Sequence, residues 1–184
     1  MKSFALIVNP LTIEQFRKFW PAIKYLPRFM LKPTIRNARP FKVSHIAEIL
    51  ARYLKEGRIR VQKDRIEGLI TYHDPCQSAR NGGVIEEPRY VLRRLTSKFI
   101  EMTPTREYSL CCGGGGGLVA LDNEEFREET GKAKVDQITE TGAAIVATCC
   151  ENCHTQLNFL KERYHMGVKV EFLTNMVANS LSLG

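Results

Sequence analysis

The stretch "AAIVATCCENC", residues 143–153, places a run of small and branched apolar residues directly before three cysteines. Short apolar runs of this kind are typical of a strand that is buried on both faces. We therefore predict a buried strand over residues 143–148, which ends where Cys149 and Cys150 begin. A helix is predicted from about Cys153, so the cysteines lie between a strand and a helix.

The same alternation of strand and helix patterns runs along the chain. Further strands are predicted over residues 4–8, 69–72, 99–102 and 168–173, and helices over residues 45–56, 87–96, 122–141 and 173–181. Strands that alternate with helices indicate an α/β fold, here a mainly parallel sheet flanked by helices. In such folds the ligand site lies at the carboxyl ends of the strands.

Length and composition are those of one globular domain with an extension. The 184 residues are 43% hydrophobic and 26% charged, and no apolar run reaches the length of a membrane-spanning helix. We predict a basic, aromatic amino-terminal extension over residues 1–40 and a cysteine-rich domain over residues 41–184. The opening residues lack the pattern of a cleaved signal peptide, so a cytoplasmic protein is predicted.

The net charge of +7 is concentrated in the amino-terminal part of the chain. Residues 1–65 hold 15 Lys and Arg against 4 Asp and Glu. A basic surface can meet nucleic acid, anionic lipid or an acidic protein, and a solvated basic surface explains the pattern equally well. No nucleic-acid-binding motif accompanies the charge, and we predict no nucleic-acid partner.

All six cysteines fall in the acidic remainder of the chain. They are Cys76, Cys111, Cys112, Cys149, Cys150 and Cys153. Clustered cysteines in a cytosolic chain are more typical of metal binding or redox chemistry than of structural disulfides. Cys76 and Cys150 each follow a predicted strand, so they are expected at one edge of the sheet. The loop at Cys111 and Cys112 is expected to join them there.

Three kinds of cysteine chemistry are compatible with this pattern. Structural zinc normally takes four ligands from two CxxC-like pairs, whereas the chain has one CxxC, from Cys150 to Cys153. A thioredoxin-like dithiol would leave the other cysteines unexplained. An iron–sulfur cubane needs four thiolates, and the six available favour a cluster with more than four protein ligands.

The five consecutive glycines at residues 113–117 fit this last interpretation. Glycine permits close approach of a ligand to the backbone. Successive backbone N–H groups, beginning at Gly113 and Gly114, can form a concave anion-binding nest around the sulfides of a cluster. The alternative is a flexible polyglycine loop beside buried cysteines.

At the motif level the chain resembles a known family. The phrases "YHDPCQ" (72–77), "CCGGGGG" (111–117) and "CENCHTQL" (150–157) are similar to those of the cysteine-rich CCG domain. That domain occurs in the B and D subunits of heterodisulfide reductase and in the related K subunit of the membrane-associated sulfite-reduction complex. The resemblance covers about residues 41–182.

The resemblance implies a ligand set and a cofactor. The cofactor would be a non-cubane [4Fe-4S] cluster, and Gly113 and Gly114 would lie against it. Its five ligands would be Cys76, Cys111, Cys112, Cys150 and Cys153. The spacing leaves Cys149 as a competing or spare thiol. A zinc-binding structural module with the same fold remains the alternative.

The resemblance also implies an activity. The cluster would cleave a disulfide, or a trisulfide on a small sulfur-carrier protein, with electrons from partner subunits that carry cubane clusters. Association with the inner face of a membrane would occur through such a partner. Next to the first cysteine, His73 and Asp74 are candidates to donate a proton to a leaving thiolate. A surface histidine and a turn-forming Asp-Pro explain these two residues as well.

Overall fold

The computed structural model describes residues 43–120 and 123–182. The predicted strand at residues 4–8 and the basic extension over residues 1–40 lie outside the described residues. The division into an extension and a cysteine-rich domain therefore stays a prediction.

Within the described residues, the fold is a four-stranded parallel sheet flanked by five α-helices. The strands are β1 (Ile70–Tyr72), β2 (Phe99–Ile100), β3 (Ile145–Thr148) and β4 (Lys169–Phe172). The helices are α1 (Ile46–Lys55), α2 (Glu86–Leu95), α3 (Glu124–Thr141), α4 (Glu151–Arg163) and α5 (Leu173–Ser180). The strand order is β2-β1-β3-β4, and every neighbouring pair is parallel. The predicted α/β class is confirmed.

Successive side chains of each strand point alternately into two core layers, one on each face of the sheet. In β3, Ile145 and Ala147 pack into a layer with buried residues of α1, α2 and α5, whereas Val146 packs into the opposite layer. Successive side chains of a strand point to opposite faces, so this division follows from the strand geometry. The opposite layer contains Met102, Cys112, Ile138, Val146, Cys153, Leu157 and Val170.

Helix boundaries differ by a residue or two from those predicted. The cap of α1 is His45 rather than Ser44, because the His45 ring accepts the Ala47 N–H at 3.2 Å. Gly142, with φ of 63°, ends α3 as predicted. Helix α4 begins at Glu151, two residues before the predicted start, which places Cys153 in its first turn.

No helix in the described ranges combines the length and the apolar character needed to span a membrane.

Candidate metal centre

The site lies where β1 and β3 end, on the layer formed with α3 and α4. The alternation that points Ile70 and Tyr72 into the other layer points the next residue, His73, into this one. The backbone N–H of His73 donates to the Ala147 carbonyl at 2.9 Å and so prolongs the ladder between the strands. His73 is thus fixed at the carboxyl edge of the sheet.

Three buried side chains that could bind a metal ion converge at this point. One ring nitrogen of His73 and the sulfur atoms of Cys112 and Cys153 lie within 4.8 Å of one another. His73 is 1% exposed, and among the described residues neither ring nitrogen has an oxygen or nitrogen partner; the neighbouring acceptor is the Cys112 sulfur. Burial, the largest influence, lowers the pKa of His73. A buried imidazole whose neighbours are two cysteine sulfur atoms is the arrangement of a site that can bind a metal.

The CxxC segment occupies the start of α4. Cys150 is the residue before the helix and Cys153 lies in its first turn. A hydrogen bond from the Cys153 thiol, followed by the backbone N–H groups of Cys153 and Asn152, lowers the pKa of Cys150 to about 6. Unpaired N–H groups at a helix start stabilise a thiolate, so this sulfur is prepared to bind a metal ion.

Cys112 is the thiolate at the centre of the cluster of sulfur atoms. Hydrogen bonds from the Cys111 thiol and then from the Cys153 thiol hold its pKa far below the ordinary value. The same contacts raise the pKa of Cys111 and of Cys153. Three thiols therefore share one negative charge, and a metal that replaced their protons would make each of them a ligand.

Cys149 points away from this set. It packs against the layer of α1, α2 and α5, where the Tyr72 hydroxyl donates a hydrogen bond to its sulfur at 3.3 Å. Burial is the main reason that the pKa of Cys149 rises to about 11. Cys150 instead packs with Cys112 and Cys153 in the opposite layer. The two sulfur atoms of the doublet thus lie on different faces of the sheet.

Cys76 and Cys111 bring the remaining sulfur atoms to the more open side. Cys76 is partly buried, Cys111 is exposed, and the charge of Cys76 contributes to the raised pKa of Cys111. Arg80 joins the two loops, because its guanidinium donates to the carbonyls of Glu107 and Ser109, each at 2.9 Å. The loop after β1 and the cysteine-glycine loop are therefore tied together.

The glycine run has two parts with different surroundings. A Cβ on Gly113 would lie 2.8 Å from the Thr130 backbone, and one on Gly114 would lie 2.7 Å from Gln156 Cβ. At Gly115 and the next two glycines an added Cβ would meet nothing within 4 Å. The Gly113 N–H donates to the Cys111 sulfur at 3.4 Å. The first two glycines thus allow the loop to press against α3 and α4, and the last three lie open.

A buried ion-pair network supports the loop that carries Cys76. Arg89 of α2 is fully buried and donates to both Asp74 oxygens, at 2.8 and 2.7 Å, and to both Glu101 oxygens, at 2.7 and 2.9 Å. Burial alone would raise the pKa of Asp74, but Arg89 and the Arg106 N–H hold it below its ordinary value. Asp74 is consequently an anion that anchors the loop rather than a proton donor.

Sequence reasoning missed two buried cations, Arg89 and Lys134. A charged residue in a helix is normally assigned to the solvent face. Arg89 occupies a position three residues before Leu92, on the buried stripe of α2, and this spacing was the signal available. Gln156, a neutral polar residue that is also buried, exchanges hydrogen bonds with Arg127 and was missed as well.

The donor set fits a sulfur-ligated metal group. The side chains of Cys111, Cys112, Cys150 and Cys153 shift one another's pKa values, and Cys76 acts electrostatically on Cys111. Adjacent cysteines suit a polynuclear cluster, because each sulfur can bind a different metal. The smaller group of His73, Cys112 and Cys153 has the ligand types of zinc.

Comparisons with known proteins point to one family. A family model described as a cysteine-rich domain, CCG, matches residues 70–158. The D subunit of the dihydromethanophenazine:CoB–CoM heterodisulfide reductase of Methanosarcina mazei is 36% identical over 145 residues, which are 78% of this chain and 35% of that protein. An Hdr-like menaquinol oxidoreductase iron-sulfur subunit 2 of Archaeoglobus fulgidus is 33% identical over 144 residues, or 74% and 26%.

A bacterial relative shows the same partial coverage. The EtfAB:quinone oxidoreductase of Syntrophomonas wolfei is 31% identical over 123 residues, which are 64% of this chain and 17% of that protein. The chain therefore spans about a third or less of the length of these relatives. No solved structure matches it.

Proposed function

Residues 70–158 form a cysteine-rich domain of the CCG type, and from this premise we propose that the chain is an iron–sulfur redox subunit of a complex similar to heterodisulfide reductase. The observation that carries the proposal is the convergence of sulfur atoms from two separate segments, Cys111–Cys112 and Cys150–Cys153, with the sulfur atoms of Cys112 and Cys153 within 4.8 Å of a ring nitrogen of the buried His73. A dithiol enzyme would need two of these sulfur atoms, whereas a cluster uses them all.

The proposed ligands are the five cysteines other than Cys149. They are Cys76, Cys111, Cys112, Cys150 and Cys153. Cys149 is left out because its sulfur faces the opposite layer, where Tyr72 binds it. We propose a non-cubane [4Fe-4S] cluster, since five thiolates, including an adjacent pair, exceed the four of a cubane.

The proposed reaction is the two-electron reduction of a disulfide, in which the S–S bond breaks and two electrons and two protons produce two thiols. The bound cluster would supply the electrons to the substrate sulfur. Cys111 is exposed and the glycines that follow Gly114 leave open space, so this side admits a substrate. We propose His73 as the nearby proton donor, because its ring lies beside the sulfur atoms of Cys112 and Cys153.

Partner subunits with cubane clusters would supply the electrons, and we propose that any membrane association occurs through them. The relatives in Methanosarcina mazei and Archaeoglobus fulgidus are named as subunits of multi-subunit redox enzymes. The substrate would be a small disulfide or a sulfur-carrier protein.

The test is metal analysis of anaerobically purified protein, with matched cysteine variants. We expect about four iron and four acid-labile sulfide per chain, with visible absorption of thiolate-bound iron. Cys112→Ser should abolish the iron, and Cys149→Ser should retain it, since the two thiols lie on different faces of the sheet. Equal iron loss in both variants would contradict the ligand assignment.

A zinc-binding structural module is the second candidate, because His73, Cys112 and Cys153 form a compact group of zinc-type ligands. About one zinc per chain without iron or sulfide would establish this candidate. The redox proposal and the role of His73 would then be withdrawn.

A further inference from the structure

The side chain of Lys134, in α3, is fully buried next to the cysteine site. Its ammonium lies 3.4 Å from Ser109 Oγ and 3.7 Å from Met102 Sδ, and it donates to the Gln137 side-chain carbonyl. All three partners are neutral. Met102 belongs to the same core layer as Cys112 and Cys153, and Ser109 lies two residues before Cys111, so the ammonium contacts both the layer and the loop that carry these cysteines.

A buried ammonium without an anionic partner is costly. In the described part of the chain, no carboxylate forms an ion pair with Lys134. Asp74, the carboxylate that acts on it electrostatically, is already bound by Arg89 through both of its oxygens. The positive charge therefore needs another negative group in its surroundings.

The sulfur atoms of the site are that group. Burial lowers the pKa of Lys134 to about 8, and Cys112 is the strongest of the influences that oppose this, ahead of Asp74, Cys111 and Cys153. Three of the four opposing groups are thus cysteines of the proposed centre. An iron–sulfur centre with thiolate ligands carries more negative charge than these cysteines share in the metal-free chain.

We propose that the ammonium of Lys134 is the counter-charge of the iron–sulfur centre and raises its reduction potential. The inference rests on the proposed function. Adding an electron increases the negative charge at the site, and a fixed positive charge in a low-dielectric interior stabilises that product. Lys134 is a positioning residue in this role, since its charge acts on the centre through space and it touches no substrate.

The experiment compares Lys134→Met with Lys132→Met in the iron-loaded full chain. Methionine retains an unbranched, apolar side chain of similar size and removes the charge, and Lys132 is an exposed lysine on the same helix. We expect Lys134→Met to shift the reduction equilibrium at least tenfold toward the oxidised state. That is 59 mV or more for a one-electron couple, measured by a redox titration followed by electron paramagnetic resonance. Lys132→Met should leave the potential unchanged.

The outcomes separate this inference from the proposed function. If the wild-type chain holds no iron–sulfur centre, the proposed function fails. If the wild type and Lys134→Met both hold the centre at the same potential, the role of Lys134 is overturned. If circular dichroism shows that Lys134→Met is folded but the variant holds no iron, iron binding is measured in Lys134→Arg. If Lys134→Arg binds iron again, the result supports the need for a positive charge at this position. If Lys134→Arg also binds no iron, that need is rejected.

Discussion

At the scale of single residues, the glycine run is a set of unlike positions rather than a uniform flexible loop. Gly113 combines a φ of 82° with close contact to the backbone of α3. Gly115 has neither a positive φ nor a neighbour within 4 Å of an added Cβ. The sequence indicates only that glycine is abundant here. The tertiary contacts decide which of the five glycines are required.

A matched pair of alanine variants tests this difference. Gly113→Ala should lower the free energy of unfolding by about 2 kcal/mol or more, since a left-handed φ costs roughly 1–2 kcal/mol and overpacking adds to it. Gly115→Ala should stay within about 0.5 kcal/mol of the wild type, as exposed substitutions usually do. Urea unfolding of the metal-free chain measures the free energy of unfolding of both variants. Equal losses would show that contact with α3 is not the reason for glycine at position 113.

At the scale of elements, one buried side chain holds α2 to the ends of two strands. Arg89 binds Asp74 two residues after β1 and Glu101 directly after β2, and also the Thr105 hydroxyl at 2.7 Å. Cys76 follows Asp74 by two residues. The position of the first cysteine thus depends on a helix that contributes no residue to the site.

Asp74→Asn tests this network through its pH dependence. Because the folded-state pKa of Asp74 is lowered, its stabilisation is complete above the ordinary carboxyl pKa of about 4 and is lost as pH falls through the folded value. At neutral pH the variant should lose about 3–5 kcal/mol, because Arg89 stays buried with one charge partner fewer. The loss should shrink as pH falls below the lowered folded-state pKa, where the wild-type carboxyl is itself protonated.

Asp136→Asn is the control, since Asp136 is an exposed acid on α3. It should have little effect at either pH. Urea unfolding at pH 7 and at the lower pH gives the free energy of unfolding of the wild type, Asp74→Asn and Asp136→Asn. A loss in Asp74→Asn that is independent of pH would show that the carboxylate charge contributes nothing.

The sequence predicted where these helices and strands lie better than it predicted which polar side chains they bury. The apolar positions predicted for α2 are Tyr90, Val91, Leu92 and Leu95; the last three are buried and Tyr90 is partly buried. The same reasoning missed Arg89, because its burial depends on acids from two other segments. Lys134 was missed for a related reason, since two of its partners, Ser109 and Met102, lie 25 and 32 residues earlier in the chain.

At the scale of the whole molecule, the sheet decides which cysteines meet. The spacing of the motif left Cys149 and Cys150 as competing ligands. The alternation of β3 puts them on opposite faces, with Cys150 beside Cys112. The parallel order of β1 and β3 then brings His73 to the same edge. The prediction of a site at the carboxyl ends of the strands followed from the fold class, but the choice between adjacent cysteines required the register.

The whole-molecule prediction concerns the domain boundary. Among residues 43–120 and 123–182, which the structure describes, the buried residues of both core layers lie between Ala47 and Val177 and pack against one another. A chain of residues 41–184 should therefore fold alone, with its thermal unfolding midpoint within about 4 °C of the full chain, or about 1 kcal/mol. Its iron content per chain should equal that of the full protein. Calorimetry and metal analysis on both proteins provide the comparison. A shortened chain that folds but binds no iron would place part of the site in residues 1–40, and one that fails to fold would show that the extension completes the core.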